Sequence, residues 1–144
     1  MLFLLFRLDS DTYALDACEV VEVLPFVSIA KALRPQRGVI GTINYHGTFV
    51  PVVDLSEILL GRRAPPRLST RIVLVRRSPD GKAGHLLGLV AEKATDTMQC
   101  DPAKFVSCGI DSKEVPYLGA VAMVPAGLVQ RIEVDKLLPA AATA

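Results

Sequence analysis

The stretch GTINYHGTFVPVVDL, residues 41–55, decides the fold class of this chain. Two short apolar runs, residues 43–45 and 48–54, lie on either side of His46 and Gly47. This spacing predicts a β-hairpin with a two-residue turn. Gly47 suits the turn because glycine adopts positive φ angles without steric strain.

The second run of the hairpin contains a proline and ends in an aspartate. Pro51 cannot donate a ladder hydrogen bond, so we expect it at an edge position or a bulge. Asp54 is expected to cap a helical turn over residues 55–60, which Gly61 ends. The stretch therefore predicts a strand, a turn, a strand and a capped helical turn.

The same pattern of short apolar runs between turn residues extends over the rest of the chain. Residues 35–41 are predicted to be a linker, residues 99–115 a long loop, residues 135–138 a helical turn and residues 139–144 a frayed tail. About eight to ten short strands without a long helix indicate a sandwich or small barrels. The further strands are predicted over residues 2–8, 12–15, 20–23, 71–75, 86–91, 117–124 and 128–134.

Length and charge limit the classes of function. The 144 residues suffice for one domain, residues 1–144, or for two small subdomains with a common core. Sixteen Lys and Arg against fifteen Asp and Glu give a net charge of +1, which disfavours a nucleic-acid binder. Arg62, Arg63 and Arg67 lie among prolines and are expected in a solvated loop.

The N-terminal residues 1–6 are apolar, but Arg7 and Asp9 follow at once, so neither a signal peptide nor a membrane span is predicted. The chain has three cysteines, an odd number without metal-ligand spacing, and this favours a reduced, cytoplasmic location. We expect contact with a membrane only through a partner.

No arrangement of side chains indicates catalysis, a metal or a cofactor. Cys108 or Cys18 with His85 could form a thiol nucleophile and its base, but nothing in the local sequence supports that. Glu19 and Glu22 lie near the start of a predicted strand, where carboxylates are usually surface groups. No phosphate-loop, dinucleotide-binding or nucleophile-elbow motif is found. We therefore expect a protein that is not an enzyme.

The ordered set of motifs resembles the CheW-like domain of bacterial chemotaxis signalling over about residues 2–138. The signature is the glycine-led turn GTINYHG followed by the strand motif PVVDL, in which Asn44, Gly47, Pro51 and Asp54 are expected to be architectural. The other matching motifs are FLLF at residues 3–6, VVEV at 20–23, GLV at 88–90, YLG at 117–119 and IEVDKLL at 132–138.

The resemblance implies an all-β fold of two SH3-like, five-stranded β-barrel subdomains that share a hydrophobic core, with short helical turns. It also implies a non-catalytic adaptor. Members of the family bind the regulatory domain of the chemotaxis histidine kinase, itself CheW-like, and the helical cytoplasmic tip of a chemoreceptor. No cofactor, nucleic acid or inserted membrane segment is implied.

The resemblance places the receptor-facing groove of the family at Val20, Glu22, Gly41 and Ile72 of this chain. Val20 and Ile72 are equally suited to be plain core residues. His46 occupies the position of a family arginine that pairs with the glutamate at 22. Histidine titrates near neutral pH, so a Glu22–His46 pair would be weaker and sensitive to pH. His46 as a simple turn residue is the alternative.

Two further departures from the family pattern are Glu92 in place of aspartate and the polar pair Gln130 and Arg131 in a strand that is usually apolar. Together with His46 they suggest a divergent member that serves an array other than the main flagellar one. The alternatives are therefore a module of a surface-sensing or second-messenger pathway, a small β-barrel binder of nucleic acid, and a thiol enzyme.

Overall fold

The strands form two sheets in the computed structural model, which describes residues 1–26, 29–36, 39–77, 85–107, 117–125 and 127–137. One helix, α1 (Leu55–Leu60), and three short 3-10 turns, Ala17–Glu19, Pro102–Lys104 and Val134–Lys136, accompany them in this part of the chain. The strands are β1 (Leu2–Leu8), β2 (Asp11–Asp16), β3 (Val20–Pro25), β4 (Ala30–Gln36), β5 (Val39–Tyr45), β6 (Thr48–Asp54), β7 (Arg71–Arg77), β8 (His85–Ala91), β9 (Asp96–Gln99), β10 (Leu118–Val124) and β11 (Gly127–Ile132).

The two ends of the chain build one sheet and its middle builds the other. The first sheet has the order β10-β11-β2-β1-β9, and its C-terminal hairpin joins the N-terminal one through a parallel pairing of β11 with β2. The second sheet has the order β3-β7-β8-β6-β5-β4, with β6 and β8 parallel. The predicted all-β fold with short helical turns is confirmed, and the second sheet contains β4 as a sixth strand.

Both sheets contribute to one apolar core, as predicted. Phe6 and Leu15 of the first sheet and Val53 and Leu89 of the second are fully buried in the same cluster. Fully burying one such side chain contributes about 1.5–3 kcal/mol to stability. Each sheet also encloses a smaller cluster, around Phe3 in the first and around Ile72 in the second. This arrangement of a shared core and two local cores fits two barrel-like subdomains.

Two local predictions are wrong, and a third agrees with the part of it that the structure describes. Residues 35–41, predicted to be a linker, belong to β4 and β5 apart from residues 37–38, which lie outside the described part. The prediction of a long loop with at most one helical turn over residues 99–115 agrees with the described part of that range, which leaves β9 after Gln99 and contains the 3-10 turn Pro102–Lys104; residues 108–115 lie outside the described part. The edge position predicted for Pro51 is wrong, because β6 has a neighbouring strand on each side. Pro51 pairs with Thr42 and precedes the register of β6 with β8, which begins at Val52.

Asp54 organises the connection between the two halves of the second sheet. Its Oδ1 accepts hydrogen bonds from the amides of Ser56 at 2.9 Å and Glu57 at 3.4 Å, and its Oδ2 accepts from the Ala64 amide at 2.9 Å. Burial raises the pKa of Asp54, while the three backbone hydrogen bonds act in the opposite direction. The predicted cap is confirmed, and the same carboxylate also holds the loop that follows α1.

We expect Asp54→Ala to lower the free energy of unfolding by about 3 kcal/mol, because it removes a helix cap and leaves the buried Ala64 amide without its acceptor. Urea denaturation measures the change. Asp101→Ala is the matched control, since Asp101 is exposed and caps a 3-10 turn with one bond to the Ala103 amide. Its cost should stay below about 1 kcal/mol. Equal losses in the two variants would contradict the assigned role of Asp54.

The crossover from the first sheet to the second passes through an acidic cluster. Glu19, expected at the surface, is only partly exposed, and its Oε2 is buried with no hydrogen-bond partner among the residues that the structure describes. Burial, followed by the carboxylates of Asp135 and Asp16, raises the pKa of Glu19 from 4.5 to about 7. The neighbouring Arg131 lowers this pKa and Glu133 raises it further.

The sign of the pH dependence follows from the raised pKa of Glu19. The folded chain holds the proton of Glu19 more tightly than the unfolded chain does, so this contribution to stability is complete below pH 4.5 and is lost as the pH rises to about 7. Because Glu19 is partly exposed, solvent screening reduces the effect to about 1 kcal/mol.

We expect Glu19→Gln to abolish this fall in stability and to make the chain more stable than the unmodified protein above pH 7. Urea denaturation at a series of pH values measures both effects. Glu22→Gln serves as the control and should keep the fall, because Glu19 is still present. If Glu19→Gln and the unmodified protein show the same pH dependence, the assignment to Glu19 is wrong.

Candidate partner-binding site

The second sheet curls so that its edge strand β3 approaches the β5–β6 hairpin. Leu24 of β3 and Ile43 of β5 pack in the same cluster, although three strands separate β3 from β5 in the sheet order. A side-chain hydrogen bond to Glu22 of β3 raises the pKa of Tyr45 at the end of β5. The side chains of Glu22 and Tyr45 therefore meet across the gap between the two strands.

The turn of the hairpin has the predicted two residues. His46 has φ 52° and Gly47 has φ 87°, and positive φ at both central residues matches the right-handed twist of the strands. The Oδ1 of Asn44 accepts a hydrogen bond of 2.8 Å from the Gly47 amide. His46 is exposed, and its ring stands edge-on to that of Tyr45 at a centroid distance of 4.3 Å.

The expected groove residues do not share one surface. Ile72 is fully buried in the local core of the second sheet, and Gly41 is buried in β5. Val20 is partly exposed and packs against the shared core. Of the expected residues, Glu22 and His46 are exposed. The interpretation of Ile72 as a core residue therefore agrees with the structure. Among the expected groove residues, Glu22 and His46 are the ones that a partner could contact.

The Glu22–His46 pair that the resemblance suggested is absent. No ion pair joins these two residues within the described part of the chain. Tyr45 takes the place of the expected partner, since its hydroxyl bonds to Glu22 and its ring contacts His46. The three side chains form one continuous polar and aromatic row, which we call the Glu22–Tyr45–His46 row.

Apolar side chains that the sequence reading missed are exposed on the same two elements. Val21 and Val23 of the edge strand β3 are 39% and 40% exposed, and Phe49 of β6 is 74% exposed. Phe49 pairs with Asn44, so it lies on the face of the hairpin opposite to Tyr45. The alternation of side chains along β3 could have predicted that Val21 and Val23 lie on the face opposite to Glu22. Nothing in the sequence distinguished Phe49 from an aromatic residue of the core.

The polar departures from the family pattern have structural partners. Glu92 is 7% exposed, and its Oε2 accepts hydrogen bonds from the Ser56 hydroxyl and, at 3.3 Å, from Arg62. Arg62 also binds Asp9 at 2.9 Å, so it joins the two sheets and is not a free basic group. These residues therefore hold the fold together and do not add to the partner-binding surface.

The polar pair in β11 is similarly engaged. Gln130 donates to the carbonyl oxygen of Gly119 at 3.3 Å. Arg131 binds Asp16 at 3.3 Å and lies over the ring of Phe3, with 5.6 Å from its guanidinium carbon to the ring centroid. Both residues therefore stabilise the first sheet.

The residues considered for thiol chemistry are not brought together by any described contact. Cys18 is a free, exposed thiol in the crossover turn, and His85 is exposed at the start of β8. Cys108 lies outside the described residues. Within the described residues, no group of three or more His, Cys, Asp or Glu side chains is placed to hold a metal ion. None of the helices described is long and apolar enough to span a membrane.

Comparison with known proteins agrees with this fold. The crystal structure of scaffolding protein TtCheW from Thermoanaerobacter tengcongensis superimposes with a TM-score of 0.78 at 21% sequence identity, over 92% of this chain and 84% of that one. No curated protein sequence gives a significant match. The family model of the CheW-like domain matches residues 2–142. The chain therefore belongs to the CheW-like domain family.

Proposed function

We propose that the chain is a non-catalytic adaptor that couples a methyl-accepting chemoreceptor to a CheA-type histidine kinase. Membership of the CheW-like family supports this proposal, as does the structural similarity to the scaffolding protein TtCheW. The observation that carries it is the Glu22–Tyr45–His46 row, which runs from the edge strand β3 to the hairpin turn and exposes Glu22 and His46. In this proposal the adaptor works in the cytoplasm and reaches the membrane only through the receptor.

The receptor tip is the partner that we assign to the row and to β3. An amphipathic helix binds through apolar side chains on one face and polar groups at its border. Val23 and Glu22 point to opposite faces of β3, so the helix would lie along the free edge of this strand. There Val21 and Val23 offer apolar contact, Glu22 offers a carboxylate acceptor, and the exposed imidazole of His46 lies at the hairpin turn. Ile72 and Gly41 act from beneath, by setting the curvature of the sheet that presents these residues.

The kinase's CheW-like regulatory domain is the second partner, on a separate surface. An adaptor with two binding surfaces raises the effective concentration of the kinase at the receptor. It transmits a signal when a change in one partner alters the affinity for the other. Such coupling needs two surfaces and no catalytic group.

His46 supports a second candidate, a CheW-like module of a surface-sensing or second-messenger pathway. Where an arginine would give a permanent charge, His46 gives a turn residue whose ring stands edge-on to Tyr45. The receptor that binds this chain would then carry, at the position that contacts residue 46, a different side chain from a receptor that binds an arginine there. The mechanism is the same in both candidates, and the receptor encoded beside the gene distinguishes them.

The test is calorimetric titration of the purified chain with the receptor tip and with the kinase regulatory domain encoded nearest its gene. We expect micromolar binding of both, with Glu22→Ala weakening the receptor tip about tenfold, or about 1.4 kcal/mol. Kinase binding should be unchanged. Asp11→Ala, which removes an exposed carboxylate from the first sheet, is the matched control. Absence of binding to either partner would overturn the coupling function.

The Glu22–Tyr45 contact has its own spectroscopic prediction. Its hydrogen bond should keep the pKa of Tyr45 above the ordinary value of 10.0, and Glu22→Gln should lower it towards that value. An alkaline titration followed by NMR of ζ-carbon-labelled tyrosine measures the shift. Tyr13 is the internal control, because burial raises its pKa independently of Glu22. If Glu22→Gln leaves the pKa of Tyr45 unchanged, the assigned Glu22–Tyr45 contact is wrong.

A further inference from the structure

The barrel-like subdomain built by the first sheet contains a groove of about 620 Å³ at its mouth, whereas the Glu22–Tyr45–His46 row belongs to the second sheet. Its floor includes Leu5, Met98 and Val129, which also belong to the local core of the first sheet. The groove is therefore an open continuation of that core. Its volume lies in the range of about 300–1,000 Å³ that is typical of ligand sites, and barrel mouths are common places for them.

The rim of this barrel-mouth groove is basic. Arg7, Lys93 and Lys104 line it and are exposed. In the described part of the chain, no salt bridge engages any of the three. Asp9 also lines the groove, but its carboxylate is bound to Arg62 at 2.9 Å. The rim therefore presents positive charge that the described residues leave unneutralised, beside an apolar floor.

One side of the groove is a strand edge. Thr97, Met98 and Gln99 are consecutive in β9, so their side chains alternate between the two faces of the strand. A groove lined by all three reaches the edge of the strand itself. β9 ends the first sheet and pairs with β1 on its inner side among the described strands. Its outer edge can therefore accept main-chain hydrogen bonds from an added strand.

We propose that the barrel-mouth groove binds an extended acidic peptide segment of a partner protein, which pairs with the outer edge of β9. Its carboxylates lie against Arg7, Lys93 and Lys104, and an apolar side chain between them packs on Leu5 and Met98. None of the described residues that line the groove is aromatic, which disfavours single-stranded nucleic acid because bases bind by stacking. This inference does not depend on the proposed function.

The experiment uses the full chain and two end-blocked pentapeptides, one with the order glutamate, threonine, leucine, threonine, glutamate and one with lysine in place of glutamate. In each, the charged and the leucine side chains lie on one face of the extended peptide, as Arg7 and Leu5 do on one face of β1. Binding is measured by fluorescence polarisation. We expect only the acidic peptide to bind, and we expect its affinity to fall as salt is added. Lys93→Glu combined with Lys104→Glu should weaken it at least about tenfold. Arg76→Glu, which reverses an exposed charge of β7 outside the groove, should leave the affinity unchanged.

The strand-pairing component is tested by N-methylating alternate residues of the acidic peptide. The methylated peptide keeps its charges but loses the main-chain N–H groups that would pair with β9, so we expect it not to bind. All of the changed side chains are exposed, so we expect the charge-reversed variants to fold. Thermal denaturation checks this. Equal binding of the acidic and basic peptides, or no binding of the acidic one, would overturn the proposal. Undiminished binding of the methylated peptide would overturn the pairing with β9.

Discussion

The structure depends on a single apolar core that neither sheet completes alone. Phe6, Leu8 and Leu15 come from the N-terminal hairpin, and Val53 and Leu89 come from the middle of the chain. The parallel pairing of β11 with β2 brings the last strands back onto the first ones and closes the first sheet. Because both sheets bury their inner faces against each other, separating them would expose most of the apolar area that stabilises the chain.

Polar groups at the borders of this core hold the sheets in register. Arg62 joins Asp9 of the first sheet to Glu92 at the end of β8, and Glu92 in turn accepts a hydrogen bond from Ser56 of α1. A buried carboxylate is costly unless it is paired, so Glu92 is stable there because two donors reach it. The same requirement is unmet at Glu19, where one buried carboxylate oxygen has no donor among the described residues. The two acidic side chains thus differ in how far the residues around them satisfy them.

The sequence predicted most strands because their apolar runs are short and bounded by turn residues. It missed β4, whose sequence AKALRPQ contains a proline and two basic residues, and β9, whose four residues are mostly polar. Both are edge strands, which receive their hydrogen bonds from one neighbour and need no continuous apolar face. Edge strands of this kind are set by tertiary pairing, which a local pattern does not encode.

The candidate site was harder to predict than the fold, for a related reason. Motif matching placed Ile72 and Gly41 near Glu22, but it could not say which of them reach the solvent. The curl of the second sheet decides that question, since it turns Ile72 inwards and brings Tyr45 to Glu22. Tyr45 lies within the GTINYHG turn but was not among the expected site residues, and it completes the row. The hydrogen bond to Glu22 comes from Tyr45, so it does not depend on the side chain at position 46.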